Sequence, residues 1–222
     1  MTIKKKNEKY EIIEEEITFY TIFKRLMDIF FGIIGCLILI PLYIGVKAAC
    51  LLTRDTAPIL FKQQRIGKNG APIYIYKFRS MIPNADEILF QMMKEDKELA
   101  KEYKKNKKLK NDPRITKVGR FIRATSIDEF PQFVNVFLGD MSLVGPRPYL
   151  FREKEDMGDY YDTIIQCKPG ITGYWQVNGR SGTDFENRLV LDEYYYKHRR
   201  TVLDIKIIIK TFVKVLKREG AE

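Results

Sequence analysis

Asp128 and Glu129 stand side by side at the end of a basic ladder, Arg114, Lys117, Arg120 and Arg123, within DPRITKVGRFIRATSIDEFPQFVNVFLGDMSLVGPRP at 112–148. Ser126-Ile127-Asp128-Glu129 has the S-x-x-E form of a capping box, which predicts a helix N-terminus there. The free N–H groups and positive dipole end of such a start hold phosphate, and adjacent arginines strengthen the site. Acidic residues in a first turn also complement the dipole with no chemistry attached. Successive helical side chains point about 100° apart, so at most one of the pair serves the cap and the other is free to bind a metal or attack a substrate. If the substrate is a diphosphate, Mg²⁺ is expected, held by Asp128 and Glu129 and bridging phosphate oxygens.

Further basic groups lie at stiff or terminal positions. Gly145-Pro146-Arg147-Pro148 fixes one guanidinium in a constrained loop. Lys168-Pro169-Gly170-Ile171-Thr172-Gly173, followed by Trp175, Asn178, Gly179 and Arg180, is a second glycine-rich turn, and Lys77-Phe78-Arg79-Ser80 ends a strand-like run. Glycine lets a backbone approach a ligand closely and arginine offers bidentate donors to phosphate, although such residues also make ordinary turns. The single His198 has no nucleophile motif nearby, and Cys36, Cys50 and Cys167 have no paired spacing. A His-dependent triad, a structural zinc and a disulfide framework are therefore not expected, and the chemistry falls to carboxylates or a metal.

The elements that must position these groups begin with an anchor. Ile29 to Val46, IFFGIIGCLILIPLYIGV, is an uncharged run that as a helix is about 27 Å long, close to the roughly 30 Å of a bilayer core. More than twenty residues precede it and no clean cleavage site follows, which argues against a signal peptide. Lys24 and Arg25 flank one end and Lys47, Arg54, Lys62, Arg65 and Lys68 the other, so no inside is marked, while Pro41 removes a backbone donor and predicts a kink. A bent helix that enters one leaflet and returns satisfies both features; a kinked span or a buried core helix is the alternative.

The chain of 222 residues has room for one sizeable domain, and its composition, 45% hydrophobic and 31% charged, is that of a globular protein. A formal charge of +10 favours anionic partners without choosing among nucleic acid, membrane and phosphate compounds. Residues 1–20 read as a polar tail, 21–53 as the membrane-inserted kinked helix and 54–222 as the catalytic domain. Strands are predicted at Ala57–Gln63 and Pro72–Phe78, joined by a Gly67–Gly70 turn, and a lysine-rich helical stretch covers 84–110. Near the C-terminus Lys206, Lys210, Lys214 and Lys217 share one helix face, and Ile205, Ile208, Ile209, Phe212 and Leu216 the other, which suits either core packing or a membrane interface. The fold class is α+β and mostly helical, a small hairpin plus helices with an N-terminal re-entrant membrane helix and interfacial amphipathic helices.

KFRSM at 77–81, the 112–148 stretch, KPGITGYWQVNGR at 168–180 and LDEYYY at 191–196, in this order behind a proline-containing apolar helix, resemble the bacterial sugar transferase family, the monotopic phosphoglycosyl transferases that begin surface-glycan assembly. The likeness covers about residues 20 to 217. It implies an Asp-Glu catalytic pair, matched by Asp128 and Glu129. The aspartate attacks the phosphate next to the sugar of a nucleoside-diphosphate sugar, UDP-linked by expectation, releasing nucleoside monophosphate. Polyprenyl phosphate, by expectation undecaprenyl phosphate, then accepts the phosphosugar. Arg79, Arg123, Arg147 and Lys77 match basic positions assigned to phosphate, and Asp192 and Arg180 are further site candidates. The resemblance also implies the cytoplasmic face of the bacterial inner membrane, contact with membrane lipid, a place in exopolysaccharide, lipopolysaccharide or capsule synthesis, and no nucleic-acid partner; an oligomer is left open. With no large membrane domain ahead of the catalytic part, the likeness is to the short members. Ile40-Pro41 replaces the family's frequent Ser-Pro, which weakens the argument for bending. The other class of function compatible with +10 and the apolar run is a non-catalytic, membrane-anchored basic module binding anionic lipid or nucleic acid, but it leaves Asp128-Glu129 unexplained and shows no nucleic-acid motif.

Overall fold

A computed structural model describes residues 2–107, 109–179 and 183–217. Helix α1 (Thr2–Leu52) begins inside the stretch read as a polar tail and continues through Pro41 without ending, so the proline does not break it in two. Phe19–Leu52 is long and apolar enough to cross a membrane. Charge and size set its packing. Asp28, Gly32, Gly35, Val46 and Cys50 recur at helical spacing and are buried, whereas Phe30, Ile33, Leu37, Ile40 and Ile44 are exposed.

Strands β1 (Leu60–Ile66) and β2 (Pro72–Phe78) form an antiparallel hairpin in which Leu60 faces Phe78 and Ile66 faces Pro72. The second strand falls where alternation put it; the first starts three residues late, because Pro58 can donate nothing to a ladder. Helices α2 (Ala85–Glu95) and α3 (Lys97–Asn106) divide the lysine-rich stretch at Asp96, whose carboxylate caps α3 through the Glu98 and Leu99 amides.

Helix α4 (Lys117–Ala124) is capped by Thr116, and α5 (Gln132–Leu138) is stitched to β2 by buried Asn135, which donates to Tyr74 O and accepts from Tyr76 N. Strands β3 (Ser142–Val144) and β4 (Gly170–Thr172) pair in parallel. Between and after them run α6 (Tyr161–Ile164), α7 (Tyr174–Asn178), α8 (Phe185–His198) and α9 (Thr201–Lys217).

One core joins Ile75, Val136, Met141, Val144, Val177, Tyr195 and Ile207, while a second gathers Ile66, Tyr149, Met157, Phe185 and Leu189. A third packs Val46 and Cys50 of α1 against Phe78 and Ile122, with Ile127 and Phe130 at its edge. This apolar helix is thereby part of the wall behind residues 127–130. On α9 the buried residues are Asp204 and Ile207, and Ile205, Ile209, Phe212 and Leu216 form an apolar face left exposed. Two of its lysines reach α7, Lys210 to Asn178 Oδ1 at 2.9 Å and Lys214 to Gln176 O at 3.2 Å.

Candidate active site

The expected capping box at Ser126 does not form. Ser126 adopts a left-handed backbone (φ 56°) with no side-chain cap, and Ile127–Glu129 is one 3₁₀ turn between α4 and α5. Pro131 is the reason: a helix started at Ser126 needs its amide to reach Ile127 O, and proline has none, so Phe130 N takes that carbonyl at 3.1 Å. Asp128 and Glu129 therefore sit on a tight turn, and no long helix start lies there to hold a phosphate.

Side chains supply the positive field instead. Lys77, leaving β2, places Nζ 2.7 Å from Glu129 Oε1, and Arg123, in the last turn of α4, donates from Nε to Ser80 Oγ at 2.8 Å. Burial, then repulsion from Glu129, pushes the Asp128 carboxyl up to about 6 against the pull of Lys77 and Arg123. Partial burial also resists ionisation of Glu129, a third exposed at its side chain (34%), but the charge and hydrogen bond of Lys77, with Arg147 beyond, outweigh it and hold that carboxyl below its ordinary value. The pair is thus split into one group ionised with ease and one with difficulty. No side-chain donor among the described residues hydrogen-bonds to Asp128, which leaves its oxygens free to attack or to ligate.

Arg147 approaches from the other side on the loop after β3. That loop and the second glycine-rich turn meet backbone to backbone: Gly170 N donates to Pro146 O at 2.8 Å and Gly145 N to Thr172 O at 2.9 Å. A Cβ on Gly145 or Gly170 would strike the opposite main chain, so these glycines admit each other rather than a ligand. Arg147 and Arg188 lie over the Trp175 ring at 6.0 and 5.2 Å. Arg65 Nε, Arg147 Nε and Trp175 Nε1 are buried donors without an acceptor, and neither Arg65, Arg147 nor Arg188 is ion-paired to a carboxylate of a described residue. Buried donors of this kind call for an acceptor, which a bound anion would supply.

The remaining candidates are placed elsewhere. Arg79 is engaged by protein acceptors, Asp55 Oδ1 at 2.7 Å, Pro58 O at 2.7 Å and Met81 O at 2.9 Å, so its geometry is that of a clamp closing the end of the hairpin. Arg114 is likewise buried, paired with Asp112 and bonded to Ala85 O, which leaves Arg123 as the ladder residue at the carboxylates. Asp192 is fully buried beneath Arg147, and Arg180 lies outside the described residues.

The sequence profile described as bacterial sugar transferase matches residues 19–218. The chain belongs to this family. It is 46% identical over 200 residues to the undecaprenyl-phosphate galactose phosphotransferase of Salmonella typhimurium, covering 89% of this chain and 41% of that protein. It is 39% identical to the UDP-glucose:undecaprenyl-phosphate glucose-1-phosphate transferase of Klebsiella pneumoniae, covering 87% and 40%. The exopolysaccharide production protein ExoY of Sinorhizobium fredii is 34% identical, with 89% of this chain and 87% of that protein covered. The chain thus spans about two fifths of the first two transferases and most of the third.

Several residues of this family member hold the fold together without a motif to announce them. Lys24 and Arg25 counted in the sequence only as flanking charge, yet Lys24 Nζ bonds to Asp204 Oδ2 at 2.6 Å and to Val144 O at 2.8 Å, while Arg25 donates to Val136 O and Phe137 O at the end of α5. Asp28, buried, accepts from Ser142 Oγ at 3.0 Å and Leu143 N at 2.8 Å. The available signal was the i, i+4, i+8 series Lys24, Asp28, Gly32 on one face, small or polar where a lipid-facing stripe would be large and apolar. Arg65 likewise counted only among the positive charges that follow the apolar run, two residues beyond the predicted strand.

Proposed function

We propose that this chain moves a phosphosugar from a nucleoside-diphosphate sugar, of the UDP type in the Klebsiella relative's name, to a polyprenyl phosphate such as undecaprenyl phosphate, releasing nucleoside monophosphate. The carrying observation is Asp128, a carboxylate raised to about 6, without a side-chain donor among the described residues and under the charge of Lys77 and Arg123, while Arg147 acts on the adjacent Glu129. An Asp128 oxygen attacks the phosphorus next to the sugar. The aspartyl–phosphorus bond forms as the bond to the leaving nucleoside monophosphate breaks, and that phosphate departs with the electron pair. An oxygen of the polyprenyl phosphate then attacks the same phosphorus, making the diphosphate and returning the carboxylate. The three cations offset charge gathering on the phosphoryl oxygens, a task that fixed cations perform without reorganisation.

Two adjacent carboxylates suit Mg²⁺ completed by phosphate oxygens. Lys77 bonds to only one oxygen of Glu129, and among the described residues no third ligating side chain gathers. When bound, the ion would neutralise part of the diphosphate charge at Asp128 and Glu129. The test uses detergent-solubilised protein with a panel of UDP-sugars and no acceptor. Intact mass should gain one phosphosugar as nucleoside monophosphate appears, and excess chelator should suppress both. Turnover with neither an adduct nor a burst of nucleotide sinks the covalent step.

We further propose that the domain and both ends of α1 share the cytoplasmic face. Lys24, Arg25 and Asp28 bind α5, β3 and α9, and some 33 Å along the helix Val46 and Cys50 pack against β2 and α4 of the same domain. An upright span would carry one of these contact sets away from the domain. The exposed faces of α1 and α9 supply apolar surface for one leaflet, and lipid there would bring a polyprenyl acceptor toward Asp128.

A further inference from the structure

The role of Asp192 follows from what it holds. The loop Gly145-Pro146-Arg147-Pro148-Tyr149 is fixed at several points, and two of them are one carboxylate oxygen: Asp192 Oδ2 accepts the Arg147 amide at 3.0 Å and the Tyr149 hydroxyl at 2.7 Å. Arg65 Nη1 adds a bond to Pro148 O and Ile66 N one to Tyr149 O, both 2.9 Å. Asp192 is 0% exposed, has no ion-pair partner among the described residues, and leaves Oδ1 without any donor. A carboxylate kept in such surroundings is costly. Burial pushes it up to about 7, so near neutrality the loop depends on its acceptor atoms more than on a full charge. Its platform is firm, since one turn away on α8 Tyr195 OH donates to Asp204 Oδ1 at 2.8 Å, and Leu189 lies in the second core. The guanidinium of Arg147, by contrast, has Nε buried and unpartnered.

We propose that Asp192 is a positioning residue for Arg147: by gripping the backbone amide of Arg147 and the hydroxyl of Tyr149 it aims the guanidinium at the phosphate bound beside Glu129, and it touches no substrate itself. This rests on the reading of Arg147 as a phosphate ligand. A group acting by proton transfer or metal ligation needs its charge, whereas one acting by hydrogen-bond acceptance needs only an oxygen in place. Asp192→Asn keeps an acceptor that can take both bonds, and Asp192→Leu keeps the shape alone.

The experiment is a double-mutant cycle on nucleoside monophosphate release, with melting temperature as the check on folding. Arg147→Ala tests the site reading by itself: kcat/KM for the nucleotide sugar should fall by about a hundredfold, and an unchanged value overturns that reading and the proposal with it. Asp192→Leu should fall by a similar factor in the wild-type background and cause little further loss in Arg147→Ala. Asp192→Asn should stay within about fivefold of wild type. Should the Leu variant fail to fold, Tyr149→Phe removes one of the two donors, and its smaller loss should likewise vanish in Arg147→Ala. If Arg147→Ala is impaired as expected, then full additivity, or Asn as damaging as Leu in a folded protein, overturns the positioning role while leaving the phosphate site standing.

Discussion

At Asp128, burial and the neighbouring Glu129 both oppose the charge that nucleophilic attack requires, and Lys77 and Arg123 only partly offset them. The rate of adduct formation in a single turnover should therefore rise about tenfold per pH unit below about 6 and level off above it. The same raised value fixes the sign of a stability effect. Stabilisation from the protonated form is complete below the ordinary carboxyl value of 3.8 and is lost as pH rises through about 6. Asp128→Asn should thus melt above wild type at pH 8 and with it at pH 3.5, while turnover drops by three orders of magnitude or more. A variant keeping over about a tenth of wild-type turnover contradicts the nucleophile assignment. The nearness of Arg123 to Asp128 and Glu129 was legible in the sequence, because one short segment carries all three. The protein partners of Arg79 were not legible, because a strand-end arginine looks the same whether or not it meets Asp55 and two carbonyls.

Among the elements, α1 and α5 meet through glycine. A Cβ at Gly35 would fall within the Phe133 side chain and one at Gly32 would crowd the Phe137 backbone, so the helices touch where no larger residue fits. Gly35→Leu should force them apart, losing about 1–3 kcal/mol in denaturant titrations, whereas Ile38→Leu on the exposed face should be near neutral. Lys24→Met leaves Asp204, 1% exposed, without its cation and should cost about 3–5 kcal/mol, since breaking a buried pair strands a charge. The hairpin strand at Pro72–Phe78 was legible because alternation matches a half-buried ladder. The parallel pairing of Ser142–Val144 with Gly170–Thr172 was not: three-residue strands carry no periodicity, and glycine and proline there looked like turns. The supposed helix at Ser126 failed through Pro131, whose missing amide outweighed the capping pattern.

At the scale of the whole molecule, an apolar helix packed along the domain by one stripe offers a determinant of the proposed topology other than the proline. Pattern alone identified the apolar run and its basic flanks but not that Asp28 and Cys50 face one domain, because that depends on residues distant in sequence, such as Leu143 for Asp28 and Ile122 for Cys50. If both ends of α1 lie on the cytoplasmic side as proposed, single cysteines at Lys5 and Lys68, introduced after replacing Cys36, Cys50 and Cys167, should both resist a membrane-impermeant thiol reagent in intact cells and react after lysis. Labelling at position 5 alone would establish a span. If the stripe holds the helix, Pro41→Ala should leave both positions protected, since it restores a backbone donor on an exposed residue without touching the contacts at Asp28, Gly35 or Val46. Lys24→Met combined with Gly35→Leu loosens the N-terminal half of that stripe and should expose position 5 in a fraction of molecules. Exposure caused by Pro41→Ala and not by the paired substitutions would return control of topology to the proline.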